Sequence, residues 1–158
     1  MLWNYRGVGN KISFVFAKTY IQERYPDMLI IIETRVDPGK LYKSFKNLGF
    51  NGFEYTEVMA FSEGIVMGWE NEKVNVTILQ KHFQFIHSKI NTEDGNEWFL
   101  TSIYASPRED SRKELWEALN VIVSGVNCGW ILVKVLTRID FSDHHPILIS
   151  LTDHESRI

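Results

Sequence analysis

The chain has 158 residues, enough for one domain with a substantial core. Its 44% hydrophobic and 13% aromatic content excludes an intrinsically disordered chain. A formal charge of -3 with the histidines neutral argues against a constitutive polyanion binder with a basic face, but not against an enzyme that meets nucleic acid briefly through a metal ion.

In chain order, Met1 to Asn4 reads as a short strand and Tyr5 to Asn10 as a glycine-rich loop. From Lys11, Ile12, Val15, Phe16, Thr19 and Tyr20 fall on one helical face, and Pro26 ends that helix. "MLIII", 28 to 32, is a continuous apolar run rich in β-branched residues, as in a strand buried on both faces, and it stops at Glu33-Thr34. After an Asp37-Pro38-Gly39 turn, Leu41, Phe45 and Leu48 mark a short helix with Gly49 in the C′ position. "GFEYTEV", "GIVMGW", "KVNVTIL", "HFQFIHSKI" and "EWFLTSIYA" read as strands, the last two joined by a hairpin at Asp94-Gly95. A second long helix spans about Arg108 to Ser124, with Leu115, Trp116, Leu119, Ile122 and Val123 facing inward and Gly125 closing it. "WILVKVL" and "PILISL" are the last strands. Helices early and late with consecutive strands between them indicate an α/β layered protein with much antiparallel pairing.

One cysteine, Cys128, excludes an intramolecular disulfide and fits a reducing compartment. The apolar stretch near the N-terminus is too short for a signal-peptide core, and no run reaches the length of a membrane span. Asn75-Val76-Thr77 matches a glycosylation sequon, but without a secretion signal it reads as strand sequence. The expectation is an intracellular protein, nuclear or cytoplasmic, not secreted and without a membrane partner.

Polar residues stand at the ends of several apolar strands. Taken alone, Glu33 reads first as a solvated glutamate and Asn4 as a turn initiator, and Tyr104 reads also as an amphipathic core tyrosine. Asp143-His144-His145 is a stronger signal, because a carboxylate beside imidazoles suits acid–base or metal chemistry. Two histidines and one carboxylate still fall short of the ligands of a closed zinc site.

Taken in order, "LWNYRGVGN", "DMLIIIETRV", "FLTSIYASP" and "FSDHHPILI" resemble the endonuclease/exonuclease/phosphatase superfamily, and most closely the endonuclease domain of plant LINE-type (non-LTR) retrotransposons. "KLYKSFKNLGFNGF", "SEGIVMGW" and "SRKELWEAL" match in texture. The resemblance covers residues 1–151 as one domain and leaves 152–158 as a tail. It implies a four-layered α/β sandwich, two largely antiparallel sheets face to face with helices outside, hydrolysing phosphodiesters with magnesium, or manganese in its place. Carried over by position, Glu33 is the metal carboxylate and Asn4 helps hold that site. Tyr104 contacts the phosphate, Asp143 lies near the metal or the nucleophilic water, and His144 faces the scissile phosphate. DNA is the implied ancestral substrate, acted on by a monomer with no protein partner.

The chain departs from that pattern in one region. The family has a Gly-Asp-Phe-Asn element directly after a strand like "WILV", whose Asp and Asn orient nucleophile and phosphate. Here "CGWILV" runs straight into "KVLTRIDFSDHHP", so the Asp-x-Asn and the strands that follow it are missing. Asp140 lies too close to His144 to match the family aspartate that orients the histidine, and Pro107 stands where the family has an asparagine. The junction near Val133-Lys134 fits an internal deletion, a degenerate element or an over-spliced gene. Three readings follow: a weakly active or inactive endonuclease descendant, a phosphatase of the same superfamily acting on another phosphoester, and a non-catalytic remnant or binding module.

Overall fold

The structure, a computed structural model, describes residues 1–4, 11–34, 36–57 and 64–134. The elements in order are β1 (Leu2–Asn4), α1 (Lys11–Arg24), β2 (Met28–Thr34), α2 (Pro38–Asn47), β3 (Gly52–Tyr55), β4 (Gly64–Trp69), β5 (Val74–His82), β6 (Phe85–Thr92), β7 (Glu97–Ile103), α3 (Glu109–Gly125) and β8 (Gly129–Lys134). They build two four-stranded sheets, ordered β1-β2-β4-β3 and β5-β6-β7-β8. Among the described residues, only β1 with β2 and β7 with β8 pair parallel, each pair joined by a helical crossover; the other pairings are antiparallel.

Side-chain alternation along β2 explains the layering. Ile30 and Ile32 face the second sheet, in a core shared with Met67 and Trp69 of β4 and with Ile86, Ile90, Leu100 and Val133 opposite. Leu29 and Ile31 face the other way, into a cluster with Ile21 of α1 and Leu41 and Phe45 of α2. The third cluster sets Leu115, Leu119 and Ile122 of α3 on Phe85 and Ile103, covering the outer face of the second sheet. The layers therefore run helix, sheet, sheet, helix, the four-layered sandwich expected from the sequence. Each fully buried Ile, Leu or Phe contributes roughly 1.5–3 kcal/mol. Gly68 is required by this packing, since a Cβ there would lie 2.2 Å from Cδ1 of Phe45.

Four sequence expectations need correction. Trp116 and Val123 are 52% and 50% exposed. The spacing 115, 119, 122 already fills the narrow stripe of α3 that meets the sheet, and residues 116 and 123 fall about 100° away on its flank. Gly125 is the last helical residue rather than a cap, the cap being Val126. Asp37-Pro38-Gly39 is no separate turn: Asp37 is the N-cap of α2, its Oδ1 accepting from the Gly39 amide at 2.9 Å, with Pro38 opening the helix. Finally, β5 continues through His82, and the hairpin turns at Phe83-Gln84. Neither turn residue has a positive φ, so the glycine or asparagine that would have signalled it was not needed. Gly49 (φ 101°) and Gly95 (φ 83°) stand where the sequence placed a helix stop and a hairpin.

Ser102 presents a buried hydroxyl to the inter-sheet core with no hydrogen-bond partner among the described residues. An unsatisfied buried hydroxyl costs about 1–3 kcal/mol. Ser102→Ala is therefore expected to raise stability by up to about 1 kcal/mol, or about 2–4 °C in Tm. Thermal unfolding measures it, and a clear fall in Tm would show that the hydroxyl is bonded.

Candidate active site

Asn4 and Glu33 stand on neighbouring main-chain positions. Asn4 ends β1 and pairs in register with Ile32 of the parallel β2, one residue before Glu33. Against β4, Ile32 pairs with Ile65 and Thr34 with Gly64, which makes Glu33 the extra residue of a β-bulge. Bulges redirect a strand and recur beside active sites. The Thr34 hydroxyl, fully buried, donates to the Gly64 carbonyl at 3.3 Å and secures the strand just past the bulge.

Tyr104 reaches the same end of the sandwich from the other sheet. From the Glu33 end of β2 the antiparallel β4 runs back to Trp69, and a turn closed by Val74 N–H to Glu70 C=O starts β5. β5 returns to the first end, where Lys81 meets Glu54 of β3 at 2.8 Å. β7 and β8 run parallel to β5, so their C-terminal ends lie there as well. Tyr104 follows β7 directly, and its ring is 9% exposed in the inter-sheet core. Asp143 and His144, with Asp140 and His145, lie outside the described residues.

A residue that sequence reading passed over fastens the Tyr104 segment. Gln84, at the tip of the β5–β6 hairpin, is fully buried. Its main-chain carbonyl accepts from the Tyr104 amide at 2.8 Å, and its Oε1 accepts from the Ser106 amide at 3.0 Å. Its Nε2 donates to the Ser111 carbonyl, at 2.6 Å, in the first turn of α3. From the helix, Arg112 donates to the carbonyls of Ser106 and Pro107. The segment from Tyr104 to Pro107 is thus held from both sides. The available signal was a polar residue between Phe83 and Phe85 in an otherwise apolar run.

Two further histidines sit in the second sheet. His87 is 7% exposed, stacked on Phe99, with Nδ1 2.8 Å from the Thr101 hydroxyl, which also accepts from the Trp130 indole at 2.9 Å. His82 stacks on Phe85 beside the Gln84 turn. Burial pushes both imidazoles below their ordinary 6.5, and in His82 the Glu114 carboxylate opposes that shift. A histidine with a depressed folded pKa takes up its proton later than the unfolded chain does. Stability is then fully present above about pH 6.5 and falls as pH drops from there toward the folded values. Urea midpoints are expected to be lower at about pH 5.5 than at about pH 7.5, with a smaller drop in His87→Gln. Equal midpoints at the two pH values would contradict this.

No group of three or more His, Cys, Asp or Glu side chains is placed to hold a metal among the described residues. By residue type, Glu33 and Asn4 supply a carboxylate and an amide, ligands of the hard-oxygen kind that magnesium accepts, and their main-chain positions adjoin. Among the described residues, no helix is long and apolar enough to cross a membrane.

No family model and no curated protein sequence matches the chain. Solved structures do match its fold. D. rerio TDP2 complexed with a single-strand DNA product superposes with a TM-score of 0.56 at 10% identity, over 83% of this chain and 56% of that one. An AP endonuclease from Archaeoglobus fulgidus gives a TM-score of 0.54 at 14% identity, over 76% and 51%. ANGEL2, a 2′,3′-cyclic phosphatase, gives 0.52 at 14% identity, over 77% and 40%. The chain spans about half the length of these proteins, all members of the endonuclease/exonuclease/phosphatase superfamily. Its own two packed sheets and flanking helices are the sandwich fold of that superfamily.

Proposed function

We propose that residues 1–151 are a phosphodiester-hydrolase domain descended from the magnesium-dependent endonuclease of a plant LINE-type retroelement, weakly active or inactive because its Asp-x-Asn segment is missing. The observation that carries this reading is the convergence of Asn4, the bulged Glu33 and Tyr104 at one end of the sandwich. The retroelement origin rests on the sequence resemblance.

In this reading Glu33, with Asn4 helping to hold the site, would bind magnesium or manganese, which would stabilise negative charge on the phosphoryl oxygens, and Asp143 lies near the metal or the nucleophilic water. The Tyr104 hydroxyl orients a phosphate oxygen, fixed by the Gln84-anchored segment behind it. His144 faces the scissile phosphate from the entrance to the last apolar run. The substrate is DNA, as the complex of D. rerio TDP2 with a single-strand DNA product suggests. The domain acts as a monomer, without membrane or protein partners, in the nucleus or cytoplasm. A second reading, a phosphatase on another phosphoester, has the support of the cyclic phosphatase ANGEL2 on the same fold.

Plasmid nicking with magnesium or manganese tests the proposal, beside Glu33→Ala and His144→Ala. Residual nicking abolished by both substitutions supports it, whereas nicking untouched by either sinks it. Hydrolysis of a lipid phosphate or a cyclic nucleotide without any nicking would favour the phosphatase.

A further inference from the structure

Helix α2 carries Lys40, Lys43 and Lys46, all exposed, and no acidic residue, in a chain whose acids outnumber its bases by 20 to 17. With Leu41 and Phe45 turned into the core, Tyr42 and Lys46 lie one turn apart on the adjacent flank, with Lys43 beside them. Tyr42 is 45% exposed and meets Phe53 of β3 edge-on at 5.3 Å; Phe53 in turn meets Tyr55, 38% exposed, at 6.0 Å. Lys81, from the other sheet, holds its ammonium 5.4 Å above the Tyr55 ring and 2.8 Å from Glu54. β3 is the edge strand of its sheet among the described residues, so no further strand covers this flank there. The acids nearest in the chain are Asp37, capping α2, Glu54, paired with Lys81, and Glu57, exposed two residues past Tyr55. The result is a row of aromatic rings bordered by lysines.

We propose that this face, α2 with β3 and the end of β5, binds single-stranded nucleic acid. Lysine ammoniums neutralise phosphates, and exposed rings stack on bases whose faces are open. A duplex hides those faces, and an acidic peptide would use the lysines but leave the rings idle. The surface uses neither Glu33 nor Tyr104, so it stands apart from the hydrolase reading and needs no divalent ion. It also revises the inference from net charge, which averages a basic face into an acidic whole.

The test is fluorescence anisotropy of labelled oligo(dT) against the full chain in EDTA over a range of salt. Wild type is expected to bind with salt-dependent affinity. Lys43→Gln/Lys46→Gln is expected to flatten the log–log salt slope by roughly 1.4, from about 0.7 per phosphate contact. Tyr42→Ala is expected to weaken binding about tenfold. Both substitutions fall on exposed positions, and thermal melts check that the variants are folded. Absence of oligo(dT) binding, unchanged affinity in both variants, tighter binding to duplex or to poly-aspartate, or binding that appears only with magnesium would each overturn the proposal. The last outcome would instead return the oligonucleotide to the Glu33 end.

Discussion

Purified chain incubated with supercoiled plasmid and magnesium is expected to nick it on the order of a hundredfold or more slowly than a complete nuclease of the same fold at equal concentration. Hydrolysis of a phosphodiester depends on holding the attacking water, the phosphorus and the leaving oxygen in line. A displacement of about 1 Å can cost about a hundredfold, and loss of one group that stabilises the transition state costs about as much. After β8 only residues 135–142 precede Asp143, and they contain no Asp-x-Asn. In the proposed reading two positioning groups are therefore missing together. Asn4 and Glu33, whose main chains adjoin, would in that reading hold a cation without the Asp-x-Asn that aligns the nucleophile. Initial nicking rates across a protein titration measure the deficit. Rates within about tenfold of the complete nuclease would show that other residues do the aligning.

Gln84→Leu is expected to destabilise the domain by about 2–5 kcal/mol. Leucine nearly matches the shape of glutamine but abandons two buried partners, the Ser106 amide and the Ser111 carbonyl. Each group left unsatisfied costs about 1–3 kcal/mol, and the side chain is fully buried, so water cannot readily replace it. The midpoint of urea unfolding should fall at unchanged slope, equivalent to at least about 4 °C in Tm. Because the same bonds hold the segment after Tyr104, amide exchange at Ser106 should accelerate more than exchange in β2. A midpoint shift equivalent to less than about 0.5 kcal/mol would mean that Arg112 and the Gln84 main chain hold the segment unaided.

Much of the fold was legible in the residues because its causes are local. The apolar run 28–32, ending in three isoleucines, has the signature of a strand buried on both faces, and it became β2, with Leu29 and Ile31 on the helices and Ile30 and Ile32 on the facing sheet. Gly49 and Gly95 stood at backbone positions that favour glycine, and Leu115, Leu119 and Ile122 kept the period of a helix. Glu33, Asn4 and Tyr104 could be picked out by their places at strand ends, though nothing local related them. The resemblance had grouped them, and the physical cause is the topology: a parallel β1–β2 pair, a bulge at residue 33, and a β5–β7 register that returns the second sheet to the same end. The bonding partners of Gln84, the lysine-bordered rings of α2 and β3, and the exposure of Trp116 were invisible for one physical reason. Periodicity reports which face of an element is apolar, whereas the width of that face and the partners across it belong to distant segments. A hydrogen bond from residue 84 to residue 111, or a lysine at 81 over a ring at 55, has no imprint on its own neighbours in the chain. Only tertiary packing brings such groups within reach.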